Sequence, residues 1–311
     1  MDALADLLDG PRARGAFVMR SLLDPPWSLR VADRAPLTIV VVTRGSAWFV
    51  PDAAQPTRLE AGGVAILRGP DAYTVADDPA TPPDAIVHPG QTTTTPDGEL
   101  LCETWDLGVR SWGTNPQGAT VLLTGTYEVA GTVSDRLLRA LPPLAVLDGG
   151  EVDPRLLGLL TDEFGRDDPG QSALLDRLLD MLTIAALRAW FDRAQAPRWY
   201  QAYADPVVGH ALRLLEHNPD TDWTVGELAG AVGVSRAGLA RRFTELVGEP
   251  PMTYLTEWRL ARAADLLRGT DATIESIARQ VGYGTAFSLG TAFKRRYGIS
   301  PGGHRRGAAS A

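Results

Sequence analysis

The residues best suited to chemistry in this 311-residue chain are basic side chains that cluster near its C-terminus. Arg236, Arg241 and Arg242 fall close together, Lys294, Arg295 and Arg296 form a second group, and Arg305 and Arg306 follow. Planar guanidinium forks grip guanine edges and phosphates at two points, which suits a polyanion. The overall charge of −8 opposes such a partner, but it is unevenly spread. Residues 205–311 hold 13 of the 30 Lys and Arg against 11 of the 38 Asp and Glu, and the first 204 hold the acidic excess. The first 150 residues contain one histidine, His88, and one cysteine, Cys102. A first-row metal site usually needs three or more placed ligands. No metal, cofactor or catalytic residue is therefore assigned. No nucleophile–histidine arrangement stands out, and Ala61–Val64 reads as a turn between strands rather than a phosphate loop.

The elements that must position the basic clusters occur twice. TVGELAGAVGVSRAGLARRFTELVGEPP is echoed by TIESIARQVGYGTAFSLGTAFKRRYGISP. Thr224, Leu228, Ala229, Val232 and Gly233 match Thr273, Ile277, Ala278, Val281 and Gly282. After one inserted residue, Gly284, the residues Ser235, Leu239, Phe243, Gly248 and Pro251 match Thr285, Leu289, Phe293, Gly298 and Pro301. Thr224 and Thr273 are suited to cap a first helix, and Ser235 and Thr285 a second. Gly233 and Gly282 fall where the intervening turn needs positive φ. Leu239 with Phe243, and Leu289 with Phe293, share the inward face of the second helix. Each copy therefore reads as a helix-turn-helix, whose second helix enters the major groove.

These copies, the connecting PMTYLTEWRLARAADLLRGT and the closing IARQVGYGTAFSLGTAFKRRYGISPGGHR resemble the AraC/XylS family of transcription regulators over about 85 residues. The resemblance implies two helix-turn-helix subdomains joined by a long helix, 251–268, with double-stranded DNA as partner. Recognition helices so joined would lie about 34 Å apart, one turn of duplex. It implies DNA contact from Ser235, Arg236, Ala237, Gly238, Arg241 and Arg242 in the first copy. In the second it implies contact from Thr285, Phe287, Ser288, Thr291, Lys294 and Arg295. Arg241 holds the position that reads a base in the family, and Thr291 stands at its counterpart. The first copy is thus expected to carry most sequence discrimination.

The first half of the chain reads as short strands broken by Pro and Gly, after a short helix at Asp2–Leu8. The strands are expected at Ala16–Leu22, Trp27–Val31, Leu37–Thr43, Ala47–Val50, Thr57–Leu59, Val64–Leu67, Tyr73–Val75, Ala85–His88 and Leu100–Asp106. Such a pattern suits an antiparallel sandwich or barrel. The stretch from Leu37 to Val75, above all RLEAGGVAILRGPDAYTV, resembles the cupin-type effector domain of part of the AraC/XylS family. Metal-dependent cupins carry an HxH pair that is missing here, with Tyr73 near the position of a later ligand. A barrel without metal can bind a small organic effector between aromatic walls. Trp27, Trp48, Tyr73, His88 and Trp105 are the candidates for that wall. Cys102, in LLCETW, reads as a buried inert thiol.

From about Pro154 to Arg193 the pattern turns helical. Leu175, Leu178, Leu182, Ala185 and Ala189 recur at the spacing of a coiled-coil seam, and Leu174, Met181, Ile184 and Trp190 widen it. Such a helix can pack against its own barrel, and the resemblance to the AraC/XylS family implies a share in dimerisation for it. The fold class is thus α+β multidomain: a cupin-like antiparallel β-barrel (1–150), a helical dimerisation segment (151–197), a linker (198–205) and an all-α double helix-turn-helix domain (206–311). The single cysteine, an N-terminus without a basic leader, and no apolar run of membrane length point to the cytoplasm. The reading is an effector-controlled bacterial transcription regulator, a homodimer, that meets RNA polymerase if it activates. A barrel that only dimerises or binds a protein is the second reading. A cupin enzyme is the third and is disfavoured.

Overall fold

The computed structural model describes residues 17–52, 54–127, 135–193, 196 and 198–309. It forms two compact bodies, Pro11–Ala194 and one built on Gln195–Ala311. The first contains strands β1 (Phe17–Leu23), β2 (Ser28–Val31), β3 (Leu37–Arg44), β4 (Ser46–Pro51), β5 (Thr57–Glu60) and β6 (Val64–Arg68). There follow β7 (Tyr73–Ala76), β8 (Ala85–Val87), β9 (Thr93–Thr94), β10 (Ser111–Gly113) and β11 (Thr120–Tyr127). Helix α1 (Asp135–Ala140), β12 (Leu144–Leu147), α2 (Pro154–Phe164) and α3 (Gln171–Arg193) complete it. Two six-stranded sheets result, in the orders β10-β1-β11-β3-β6-β12 and β5-β4-β7-β2-β8-β9. Pairing is antiparallel except between β1 and β10 and between β2 and β8.

The apolar run LTIVVV in β3 reflects burial on both faces. Val40 and Val42 turn inward to a core shared with Trp27, Phe49 and Leu59 from the opposing sheet. The alternate residues Leu37, Ile39 and Val41 are equally buried on the other face. Helix α3 covers the same face of neighbouring β11. Gly125 leaves room for Leu179, whose Cδ1 would lie 2.2 Å from an added Cβ. Beside it, the Tyr127 hydroxyl is 2.8 Å from Thr183 Oγ1.

The expected helix Asp2–Leu8 lies outside the described residues. Leu100–Asp106 is a run of turns rather than a strand. The Trp105 amide donates to the Leu101 carbonyl at 3.1 Å, one helical turn back. That places Leu101 and Trp105 together on the core while Cys102 is exposed, so the buried-thiol reading is also corrected. The expected dimer seam is largely intramolecular: Leu175, Leu178 and Leu182 are buried in their own protomer. The stretch 198–205 does not behave as a free linker, since it folds as a short helix, α4 (Arg198–Ala202), and ends in the ion-paired Asp205.

The second body continues with α5 (Val208–His217), α6 (Val225–Ala231), α7 (Arg236–Val247), α8 (Pro251–Gly269), α9 (Ile274–Gln280), α10 (Ala286–Tyr297) and α11 (Pro301–Ala309). All four expected caps form. Thr224, Ser235, Thr273 and Thr285 accept the amide hydrogens of Glu227, Gly238, Ser276 and Ser288. Gly233 and Gly282 adopt φ of 73° and 80°. At Gly282 an added Cβ would also lie 2.4 Å from the Pro219 carbonyl oxygen. Gly282→Ala is expected to lower stability by about 1–3 kcal/mol through strain and overpacking. Gly233→Ala, at a similar φ but with open space around it, should cost about 1 kcal/mol. Chemical denaturation of both variants checks the order.

Candidate functional site

Helix α7 turns Leu239, Phe243 and Val247 inward. Ser235, Arg236, Ala237 and Arg241 are exposed at its N-terminal half, and Gly238 is half-buried where the cap hydroxyl approaches. The Arg241 side chain is 78% exposed and meets Glu245 only at 3.9 Å, a weak surface pair. Arg242 behaves differently. Its Nη2 and Nε donate to Asp205 Oδ2 at 2.6 and 3.0 Å. Asp205 Oδ1 in turn accepts the amides of Val207 and Val208 at the start of α5. Burial pushes the Asp205 carboxyl up, but those amides and Arg242 outweigh it and hold its pKa below the usual range. The structure therefore commits Arg242, assigned to DNA from the sequence, to joining α5 and α7. Only the 37-residue separation hid this partner.

Helix α10 buries Leu289, Ala292 and Phe293 and exposes Thr285, Phe287, Ser288, Thr291, Lys294 and Arg295. Arg296, next in the basic run, binds Glu257 of α8 at 2.5 Å. The same α8 holds the first subdomain through Arg259. Its Nε donates to the Pro219 carbonyl at 2.6 Å and its Nη2 to that of Thr221 at 2.9 Å. Both recognition helices are thus fixed to one linking helix, with their outer faces uncovered.

The barrel holds a partly open cavity of about 380 Å³, within the range of small-molecule sites. Its wall is mainly apolar, with Met19, Leu29, Val40, Val75, Leu122 and Trp112 among its residues. A polar corner is formed where Gln91 Nε2 donates to Asp33 Oδ2 at 3.0 Å. Tyr73 shares that corner; burial raises its pKa, the nearby Asp33 adds to this, and a hydrogen bond with Thr38 opposes both. Its hydroxyl stays protonated and able to donate. Cys102, Asp106 and Arg110 also belong to the wall.

Of the five residues expected to line it, the cavity takes Tyr73 alone. Trp27 is fully buried in the core. Trp48 lies on the face of β4 opposite the buried Ala47 and Phe49. His88 Nε2 is bonded to Thr94 Oγ1 at 2.9 Å. Trp105 packs against the wall residue Trp112, with ring centroids 4.6 Å apart and planes tilted by 41°. Cupin metal chemistry does not fit this wall, which has no histidine. Among the described residues no three His, Cys, Asp or Glu side chains converge.

Residues 2–192 match a family model described as Cupin, and residues 228–307 match one described as Helix-turn-helix domain. The chain is 31% identical to an AraC-like transcription regulator of Streptomyces lividans, over 98% of each. It is 25% identical to the HTH-type transcriptional regulator AlkR of Acinetobacter baylyi, over 98% of this chain and 99% of that one. Among solved structures, the DNA-binding domain of AdpA in complex with a target DNA covers 34% of this chain and 95% of its own, at 29% identity and a TM-score of 0.32.

The two neighbouring arginines of α7 should separate binding from stability. Arg241→Ala is expected to weaken binding to a duplex selected from a random pool by about 1–3 kcal/mol, with unchanged melting. Arg242→Ala is expected to lower stability by roughly 1 kcal/mol. Because the folded Asp205 pKa is depressed, its contribution is complete above the unfolded value near 4 and is lost as pH falls through the folded value. Melting curves at decreasing pH should show a smaller acid loss for Arg242→Ala than for wild type.

Proposed function

The chain belongs to the AraC family of DNA-binding transcription regulators, and from that premise we propose that a small organic effector in the barrel cavity controls how the second body engages DNA. The observation that carries this is the cavity itself: an apolar chamber with the polar corner Asp33–Gln91–Tyr73. Such a chamber suits a compact, largely apolar molecule with one hydrogen-bonding end. Binding rather than catalysis is the proposed role, exercised in the cytoplasm. RNA polymerase is a further partner if the output is activation.

Arg110 supplies the coupling. It sits on the cavity wall with φ of 48°, and its Nη2 donates to Ser172 Oγ in the first turn of α3 at 2.6 Å. An occupant that displaces Arg110 alters the footing of α3, the last element of the barrel body before the chain enters the second. An effector acts only through unequal affinity for the two arrangements. Full-length protein screened against small organic molecules should give ligands that raise its melting temperature. Thr124→Trp, which fills the cavity from β11, should abolish that rise while leaving basal DNA binding intact. Ligands that stabilise both proteins equally would place the site elsewhere.

We further propose a homodimer through the outward side of α3. Leu174 and Met181, one heptad apart, remain 47% and 53% exposed while Leu175, Leu178 and Leu182 of the expected seam are buried. Met181→Glu should give a folded monomer in sedimentation analysis, whereas Leu182→Glu should fail to fold because it buries an unpaired charge. A folded Met181→Glu dimer excludes this face.

A further inference from the structure

The N-terminal half of α10 carries Ala286 and Thr291 where α7 has Arg236 and Arg241, and its hydroxyl protons are committed within the helix. Thr285 Oγ1 accepts the Ser288 amide at 3.1 Å and donates to Ser288 Oγ at 3.2 Å. Ser288 Oγ donates to the Thr285 carbonyl at 2.9 Å. One turn later, Thr291 Oγ1 donates to the Phe287 carbonyl at 3.1 Å. Each hydroxyl proton is therefore held by the helix's own cap or backbone. What remains at the N-terminal half of this face is the Phe287 ring, 84% exposed, together with the Thr291 methyl one turn on. Gly284 and Gly290 flank them, and an added Cβ at either would meet nothing within 4 Å. A planar base edge can thus approach the ring without obstruction. The counterpart of Phe287 in α7 is Ala237, which has no comparable reach.

A phenyl ring this exposed, on a helix that enters the major groove, has one apolar feature to meet there, the thymine C5-methyl. We infer that Phe287 is a specificity-determining residue that reads a thymine through this methyl. The half-site under α10 is then set by apolar contact, and the half-site under α7 by the hydrogen bonds of Arg241. Lys294 and Arg295, a turn or two further on, are placed for phosphates rather than bases.

The test begins by selecting duplexes from a random pool with the full-length protein and with Phe287→Ala. The wild-type site should contain a conserved thymine in one half, and Phe287→Ala should lose that preference while keeping the other half. On the selected duplex, replacing that thymine by deoxyuridine removes the methyl alone. Wild-type affinity should fall about four-fold, the effect of returning one methyl to water. Phe287→Ala should not respond, and Phe287→Leu, which keeps an apolar tip, should retain much of the sensitivity. Wild-type protein indifferent to deoxyuridine, or Phe287→Ala with an unaltered thymine preference, would overturn the inference. Survival of the Arg241 half-site in each variant verifies that the body is folded.

Discussion

Two recognition helices on one chain can read a duplex together only if their separation is set before DNA is met, because any slack returns as an ordering cost on binding. That constraint falls on α8, and within it on Arg259. Its guanidinium bonds two carbonyls of the first subdomain while lying against the Gly282 turn of the second. Burial disfavours its charge, and the neighbouring Tyr283, Asp222 and Asp220 act the other way. A planar fork is needed to hold two carbonyls at once, so lysine would not reproduce the geometry. The glycine at 282 follows from the same contact, because a side chain there would displace the guanidinium. Glu257, half a turn before Arg259, ties α10 to the same helix through Arg296.

In the barrel the equivalent constraint is burial on both faces of one sheet. The outer faces of β3 and β11 are covered by helices, so they demand apolar residues and one glycine for Leu179. The inner face is relieved of that demand where Ser21, Thr124 and Thr126 replace larger apolar side chains along β1 and β11. The chamber opens beside these smaller, more polar residues, while Trp27, Phe49 and Leu59 close the rest of the interior. Core and cavity are therefore two uses of the same strand alternation.

This explains what was legible beforehand. A helix cap bonds an amide three residues on, so Thr224, Ser235, Thr273 and Thr285 announce themselves locally, and the repeat confirms the register. The cavity corner does not. Asp33, Gln91 and Tyr73 come from three segments and meet only because β2 pairs with both β7 and β8. Choosing aromatics as wall residues selected Trp27, which the core consumes, and passed over Asp33 and Gln91. The run LLCETW mimics a strand because its two core-facing residues, Leu101 and Trp105, lie four apart with apolar neighbours between and beside them. The partner of Arg242 was not legible either, because nothing local reveals that Asp205 holds it.

The fate of the arginines also decides what kind of DNA binding this body can sustain. Of the 13 basic residues in 205–311, Arg242, Arg259, Arg268, Arg296 and Arg305 bond carboxylates or carbonyls of their own body. Nonspecific affinity grows with the number of phosphates neutralised, and each counterion released steepens its salt dependence. Basic side chains spent on the body's own architecture add less to its hold on the backbone of arbitrary DNA. The same bonds that consume them tie both subdomains to α8, which limits how far the two helices can shift relative to one another.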